Sequence, residues 1–143
     1  ATNSKDDVAS YRNIALEELV KNIMSTNLKF VSLQYGDTSK EIEYVENKLG
    51  IKVTSFSELN TTYDIDGLSS LICACDSIVT IDNATVHLAG SLGKDTKLII
   101  PLNSGTLWSE NDKFSYWYKS VKIYRQKRLG EWRPVLKELK NEI

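Results

Sequence analysis

Asn83 and His87 are the polar residues whose spacing in this chain best suits ligand binding. They stand four residues apart, directly after a short β-branched run from Ser77 to Ile81, so they share one face of the helix that this pattern predicts. The first turn of a helix has unpaired backbone N–H groups and the positive end of the helix dipole, which favour an anion such as phosphate. The spacing equally allows an ordinary helix capped by Asn83, with His87 packed against a core partner.

A strand–helix–strand unit would position these residues. Gly93 suits the left-handed residue that follows the end of a helix. Leu98 to Ile100 is a second apolar run, which Pro101 ends. Parallel strands joined in this way leave the first helical turn at the carboxyl edge of a sheet. Asn103, which follows the second strand, is therefore expected near the same edge, in the crevice where such sheets bind ligands.

The rest of the sequence alternates strand and helix patterns. The predicted elements are a helix from Ala9 to Ser25, a strand from Phe30 to Gln34, a helix from the Thr38–Glu41 capping box to Gly50, a strand from Ile51 to Phe56, a helix capped by Asp64, the unit around Asn83, a strand from Val121 to Arg125, and a last helix after Gly130. This alternation predicts an α/β fold, a Rossmann-like doubly wound parallel sheet of about five strands flanked by helices. The expected strand order is 3-2-1-4-5, with a ligand crevice between residues 34–36 and residues 82–84.

An aromatic segment from Gly105 to Lys119 has no clear periodicity and is predicted to be a long loop. Loops of this length in compact domains are often functional. Trp108 and Trp117 are interpreted first as covers for apolar surface, and second as platforms that stack on a sugar or a base.

Composition and charge limit the class of partner. The chain has 143 residues and a formal net charge of −1, so neither a nucleic acid nor a membrane surface is predicted as a partner. No apolar run approaches the ~20 residues of a membrane span, and no signal peptide is visible. Cys73 and Cys75 are interpreted as small core residues of a reducing compartment, which predicts a cytoplasmic protein. Because the sequence has only these two cysteines and one histidine, no metal site is predicted.

The chain is predicted to have a flexible lead-in over residues 1–8 and one Rossmann-like domain over residues 9–143. It starts at Ala1, and its one methionine is Met24, so a processed chain or a piece of a longer protein is expected. The sequence lacks the fingerprints G-x-G-x-x-G, G-x-x-x-x-G-K-[ST] and G-x-S-x-G. Asp64 and Asp66 form a D-x-D of the kind that can hold a divalent ion, but they open a predicted helix and are interpreted as capping residues.

Three motifs, in order along the chain, carry a family resemblance. The segment from Asp82 to Lys94, DNATVHLAGSLGK, resembles the D-T-x-x-x-H-L-A-G-A-L-G-K-P segment of GT-B-fold glycosyltransferases. Phe30 to Gly36, FVSLQYG, is similar to their F-x-S-L-Q-x-G. Trp117-Tyr118, then Tyr124 to Gln126 and Gly130 to Trp132, are similar to their W-Y-P-S…R-Q…G-D-W ending. The nearest groups are the tetratricopeptide-linked glycosyltransferases and the family nine heptosyltransferases.

The resemblance implies the C-terminal, nucleotide-sugar-binding half of a GT-B enzyme. The residues that it assigns to the ADP- or UDP-linked sugar are Gln34, Tyr35, Gly36, Asp82, Asn83, Ala84, Thr85, His87 and Asn103, with the base and ribose against residues 63–66. The nucleotide-sugar is a substrate, and no cofactor or metal is implied. The acceptor site and the catalytic base belong to an N-terminal half that this chain lacks, so no catalytic residue is predicted here, and the isolated chain is expected to be inactive.

Two other classes stay open. The chain can be a non-catalytic nucleotide-binding or scaffold module of the same fold. It can also belong to a sugar-nucleotide epimerase of similar two-half architecture, although such an enzyme is expected to carry more acidic and histidine residues in this half.

Overall fold

The computed structural model describes residues 13–25, 27–104, 107–108 and 113–143 of the chain. Within these ranges the helices are α1 Leu16–Ile23, α2 Ser39–Leu49, α3 Ile65–Ala74, α4 Ala84–Ser91 and α5 Arg133–Lys140, and the strands are β1 Phe30–Val31, β2 Val53–Thr54, β3 Ile78–Ile81, β4 Thr96–Ile100 and β5 Val121–Arg125. The predicted α/β class is confirmed. The predicted lead-in over residues 1–8 and the first residues of the helix predicted from Ala9 lie outside the described ranges.

The strands form two small parallel sheets. β1 pairs with β2 through Phe30 with Val53 and Val31 with Thr54, and the second sheet has the order β3-β4-β5. The predicted single sheet of about five strands is therefore wrong, and so is the order 3-2-1-4-5, because β3 pairs with β4 and not with β2. β1 and β2 are shorter than predicted, since polar serines interrupt both apolar runs directly after the paired residues.

Helices cover both faces of the three-stranded sheet. Ile99 and Tyr124 pack on one face against α5 and α1, while Leu98, Ile100 and Val121 pack on the other face against α4. This alternation follows the period of two along a strand, and it explains why every residue of β4 is buried. A separate cluster joins α3, α4 and the start of β3.

Side-chain packing places β1 beside the three-stranded sheet. Phe30 of β1 and Val79 of β3 are packed against the same buried cluster. Leu33, which follows β1, packs against the cluster that contains Ile78 of β3.

The helix ends that the sequence predicts are largely observed. Asn83 caps α4, and the Asp64 carboxylate accepts a hydrogen bond from the backbone N–H of Gly67 at 2.7 Å to cap α3. After α4 the chain reverses at Gly93, whose φ is +68°. The N–H groups of Gly93 and Lys94 donate to the carbonyls of Gly90 and Ala89 at 3.0 Å each, which is the Schellman arrangement.

Other local predictions are corrected. The Thr38–Glu41 capping box is wrong: the Thr38 side chain makes no cap bond, and a Glu41 carboxylate oxygen accepts instead from the backbone N–H of Leu16, at 3.1 Å. The first helix is shorter than predicted, because Ala15 has an extended backbone and α1 begins at Leu16. Cys73 is exposed and not a core residue, since it follows the buried Ile72 on a helix and faces another direction.

None of the helices in the described ranges combines the length and the apolar composition needed to cross a membrane.

Candidate functional site

A cavity of about 500 Å³ lies at the carboxyl ends of β1 and β2. Its walls come from the turn between β1 and α2, at Gln34 and residues 36–39, and from the connection between β2 and α3, at residues 55–63. Two parallel strands thus end at one edge and send their following loops around the same hollow, where α/β proteins commonly bind ligands.

Gln34 links the two walls of this cavity. Its backbone carbonyl accepts a hydrogen bond from the Thr61 hydroxyl at 3.1 Å, which joins the loops after β1 and β2. The Oε1 atom of the Gln34 side chain is buried and has no hydrogen-bond partner within the described ranges of the chain. A buried amide oxygen without a partner costs about 1–3 kcal/mol, so a ligand that donates a hydrogen bond there would recover part of this cost.

The lining of the cavity is rich in hydroxyl groups and has no lysine or arginine among the described residues. Asp37 and Glu58 contribute carboxylates. The pKa of Asp37 is lowered, first by the hydrogen bond from the Ser39 hydroxyl and then by the Ser39 backbone N–H, so this carboxylate is ionised at neutral pH. The walls therefore suit a neutral group that donates hydrogen bonds, and they offer no cation to a phosphate.

Aromatic side chains stand exposed around this edge. Tyr63 and Phe56 line the cavity and are 83% and 51% exposed. Tyr35 is exposed between Gln34 and Gly36, but it is not part of the lining. Exposed flat rings beside a polar hollow suit the stacking of a base or a sugar ring.

The first turn of α4 lies outside the cavity lining. The Asn83 Oδ1 atom accepts from the backbone N–H of Thr85 at 2.9 Å and from the Thr80 hydroxyl at 3.2 Å. One of the predicted phosphate-binding amides is thus already bonded within the protein. Asp82 and Thr85 are half-buried and Ala84 is exposed, and none of residues 82–85 lines the cavity that contains Gln34 and Gly36.

His87 has aromatic partners. Its half-buried ring stacks on Trp108, with 5.5 Å between the ring centroids and 27° between the planes. Its Nδ1 atom lies 3.3 Å from the Tyr118 hydroxyl. These contacts agree with the core-packed alternative for His87, and they tie α4 to the aromatic segment.

The two tryptophans of that segment differ. Trp108 is 1% exposed and belongs to the cluster on the α4 face of the sheet, so its interpretation as a cover for apolar surface is confirmed. Trp117 is 68% exposed, so the same interpretation is wrong for it.

Arg125 holds the carboxyl edge next to β4, a role that the sequence did not single out. Its Nη1 atom donates to the Leu102 carbonyl at 3.3 Å and to the Ser104 hydroxyl, and its Nη2 atom donates to the Trp108 carbonyl at 3.2 Å. Asn103 lies exposed in the turn that Arg125 anchors. The one sequence signal for this anchoring role was the position of Arg125 as the last residue of a predicted strand.

The predicted site residues are therefore divided between two places. Gln34 and Gly36 lie at the cavity, whereas Asn83 and His87 lie on α4 with protein partners. The sequence analysis did not identify the hydroxyl residues that complete the cavity, although Ser55 lies near the end of the predicted strand from Ile51 to Phe56 and Ser57 directly follows it. No group of three or more His, Cys, Asp or Glu residues within the described ranges is placed to hold a metal ion.

The fold and these sites define the chain as a parallel α/β protein with a polar cavity at its carboxyl edge. No protein-family model matches the chain, and no solved structure gives a significant match. The chain is similar to Protein FlbA of Caulobacter vibrioides, with 31% identity over 108 residues. The alignment covers 75% of this chain and 18% of FlbA, so the chain spans less than a fifth of the length of that relative.

Proposed function

We propose that this chain is the nucleotide-sugar-binding domain of a GT-B-fold glycosyltransferase, related to the tetratricopeptide-linked and family nine enzymes. The observation that carries the proposal is the position of Gln34 and Gly36, two residues of the F-x-S-L-Q-x-G resemblance, in the wall of the 500 Å³ cavity at the carboxyl edge. The packing of Phe30 of β1 and Val79 of β3 against one buried cluster supports the Rossmann-like part of the proposal, because it brings the two parallel sheets together around a shared core.

The proposed binding mode divides the donor between the two places. The diphosphate lies against the first turn of α4, where the remaining N-terminal amides and the helix dipole favour negative charge. The nucleoside lies in the cavity, whose lining is neutral to acidic and whose rim carries Tyr63. Gln34 lines the cavity, and in this binding mode its Oε1 atom accepts a hydrogen bond from the ligand.

The proposed donor is an ADP- or UDP-linked sugar, transferred to an acceptor held by an N-terminal half. That half would also supply the base that removes the acceptor's proton, so we expect no transfer by this chain alone. The two free cysteines support the proposed cytoplasmic location, since exposed thiols such as Cys73 persist in reducing compartments.

The test is calorimetric titration of the chain with ADP and with UDP, using two substitutions of one residue. Asn83→Ala removes the cap, so it should lower stability by about 1 kcal/mol. Asn83→Asp keeps a carboxylate cap, so stability should stay within about 0.5 kcal/mol, whereas the added negative charge beside the diphosphate should weaken nucleotide binding about tenfold. Asn141→Asp adds the same charge at the exposed end of α5 and should leave binding unchanged.

Equal nucleotide affinity in wild type and Asn83→Asp would remove the α4 turn from the site. Absence of binding of both nucleotides would refute the proposed function. Sustained sugar transfer by the isolated chain would refute the assignment of the catalytic base to another half.

A non-catalytic nucleotide-binding or scaffold module is the second candidate. The observation that favours it is that Asn83 and His87, two of the predicted ligand residues, already bond within the protein. A longer form of the protein that binds nucleotide but neither hydrolyses nor transfers a donor would support this candidate over the enzyme.

A further inference from the structure

A second open cavity lies at the opposite edge of the three-stranded sheet. It has a volume of about 420 Å³, and its lining includes residues that directly precede or begin β4 and β5. Among them are three lysines, Lys97, Lys119 and Lys122. The nucleotide proposal concerns the carboxyl edge, so this amino-edge cavity is a separate feature.

Two of these lysines are direct neighbours across the sheet. Lys97 of β4 and Lys122 of β5 are paired in register. Like charges opposite one another on adjacent strands destabilise a sheet unless negative charge lies near them. Lys97 is ion-paired with Asp95, and Lys122 is ion-paired with Glu142, so each ammonium has one carboxylate.

The third lysine leaves the cavity with an excess of positive charge. Lys119 is exposed and makes no hydrogen bond or ion pair with any residue in the described part of the chain. Among the lining residues that the structure describes, three ammonium groups therefore share two carboxylates. This balance favours the entry of a small anion.

Ser120 supplies a hydrogen-bond donor without a partner. Its Oγ atom is buried and has no hydrogen bond to any residue that the structure describes, although Ser120 lines the cavity between Lys119 and β5. Buried hydroxyl groups in proteins are almost always bonded, so this group is suited to a ligand atom. A hydroxyl that accompanies ammonium groups is a common set of donors for phosphate oxygens.

The end of α4 does not oppose an anion here. A helix C-terminus has partial negative charge on its unpaired carbonyls. The carbonyls of Ala89 and Gly90 already accept hydrogen bonds from Lys94 and Gly93. A side-chain carbon built on Gly93 would meet nothing within 4 Å, so the backbone leaves open space beside the lysines.

From these observations we propose that the amino-edge cavity binds a phosphoryl group. The Ser120 hydroxyl donates to one phosphate oxygen, Lys119 pairs with the phosphate, and Lys97 and Lys122 share their charge between the phosphate and their carboxylates. Phe114 lines the same cavity and offers an apolar surface to a sugar-sized body. The same chemistry serves free inorganic phosphate and the phosphate of a phosphorylated sugar.

The experiment is an NMR titration of backbone amides in the 143-residue chain, with inorganic phosphate in one arm and a hexose 6-phosphate in the other. Ionic strength is held constant with sodium chloride, because screening alone changes exposed charges. We expect saturable shifts centred on Lys97, Ser120 and Lys122. Tighter binding of the hexose phosphate identifies the sugar phosphate as the ligand, and equal affinities identify the phosphoryl group alone.

The double variant Lys119→Gln with Ser120→Ala should weaken both ligands about tenfold, as expected for the loss of a charge-assisted hydrogen-bonding set. Lys137→Gln removes an equal charge from the exposed side of α5 and is the matched control, which should bind as wild type. In urea denaturation the double variant should be at least as stable as wild type, because neither side chain has a partner in the described part of the chain and the buried Ser120 hydroxyl is unsatisfied there. Chemical shift changes that do not saturate would overturn the proposal. So would a Lys137→Gln control whose affinity falls as much as that of the double variant.

Discussion

Gly90→Ala should destabilise the protein, although the same change in an exposed helix normally stabilises it. Gly90 is buried in α4, and the Tyr118 ring packs directly against it. A Cβ atom at this position would lie 2.5, 2.7 and 2.9 Å from three carbons of that ring. Ordinary carbon–carbon contacts are about 3.5–4.0 Å, so the ring would have to retreat by about 1 Å.

The size of the effect follows from two opposing contributions. Overpacking of this kind costs about 1–3 kcal/mol, and the upper part of the range applies because Tyr118 is held at both ends: its hydroxyl contacts His87, and its backbone N–H donates a hydrogen bond to the Ser115 hydroxyl. Alanine recovers about 1 kcal/mol of helix propensity over glycine. The net loss should be about 1–2 kcal/mol, which corresponds to a fall in Tm of about 3–6 °C for a chain of this length.

Urea denaturation followed by tryptophan fluorescence and far-UV circular dichroism measures this loss. In a Tyr118→Ala background, the steric conflict is absent, and Gly90→Ala should stabilise by up to about 1 kcal/mol. The coupling energy of the double-mutant cycle should therefore be about 2–3 kcal/mol. Ser91→Ala, at the neighbouring exposed position, should change stability by less than about 0.5 kcal/mol. A stabilising Gly90→Ala in the wild-type background, or strictly additive changes, would refute the packing argument.

Three further measurements test other contacts. Asp64→Ala should cost about 1 kcal/mol in urea denaturation through loss of the α3 cap, and Asp66→Ala on the same turn should cost less. The pKa of Glu142 is lowered, first by its hydrogen bond with Lys122, so the stability that ionised Glu142 contributes is present above the ordinary carboxyl pKa and is lost as the pH falls through the pKa of the folded state. Lys122→Met should raise the Glu142 pKa in an NMR titration, and an unchanged pKa would contradict the ion pair. Burial, followed by the hydrogen bond to Glu142, raises the pKa of Tyr124, so the stability that the neutral phenol contributes is present at neutral pH and is lost as the pH rises through the pKa of the folded state. In an absorbance titration, Tyr124→Phe should therefore leave unchanged the number of tyrosines that ionise near pH 10.

The sequence predicted well what depends on a few neighbouring residues. Asn83 and Asp64 cap helices because each side chain reaches an N–H group two or three residues away. Gly93 ends α4 for an equally local reason, since its backbone takes a conformation that other residues avoid. β4 was identifiable because an uninterrupted apolar run marks a strand buried on both faces.

The sequence failed where the outcome depends on distant partners. The Thr38–Glu41 pattern fits a capping box, yet Glu41 serves α1 from a position 25 residues away. The division into two sheets depends on which strands meet, and strand composition alone does not specify this. His87 is placed by Trp108 and Tyr118, whose positions no local periodicity reveals.

For the candidate site, the motif resemblance included two residues that line the cavity, Gln34 and Gly36, but it gave no account of the surrounding wall. That wall is built from an irregular connection of serines, threonines and aromatics between β2 and α3. Irregular segments have no period from which burial or direction can be deduced. The hydrogen bond from the Thr61 hydroxyl to the Gln34 carbonyl, which joins the two loops, depends on the three-dimensional fold and has no signal in the local sequence.

The brevity of the β1–β2 ladder has a consequence for ligand affinity. Both walls of the carboxyl-edge cavity are loops that follow β1 and β2, and these strands pair through only two residues each. The hydrogen bond from the Thr61 hydroxyl to the Gln34 carbonyl is an additional link between the loops. Such a unit should open locally far more often than the long, fully buried β4, and its amide protons should exchange with solvent sooner. An occupant bridging the two loops would suppress that opening, so part of its binding free energy would appear as slowed exchange in β1 and β2 and would be absent from the rest of the sheet.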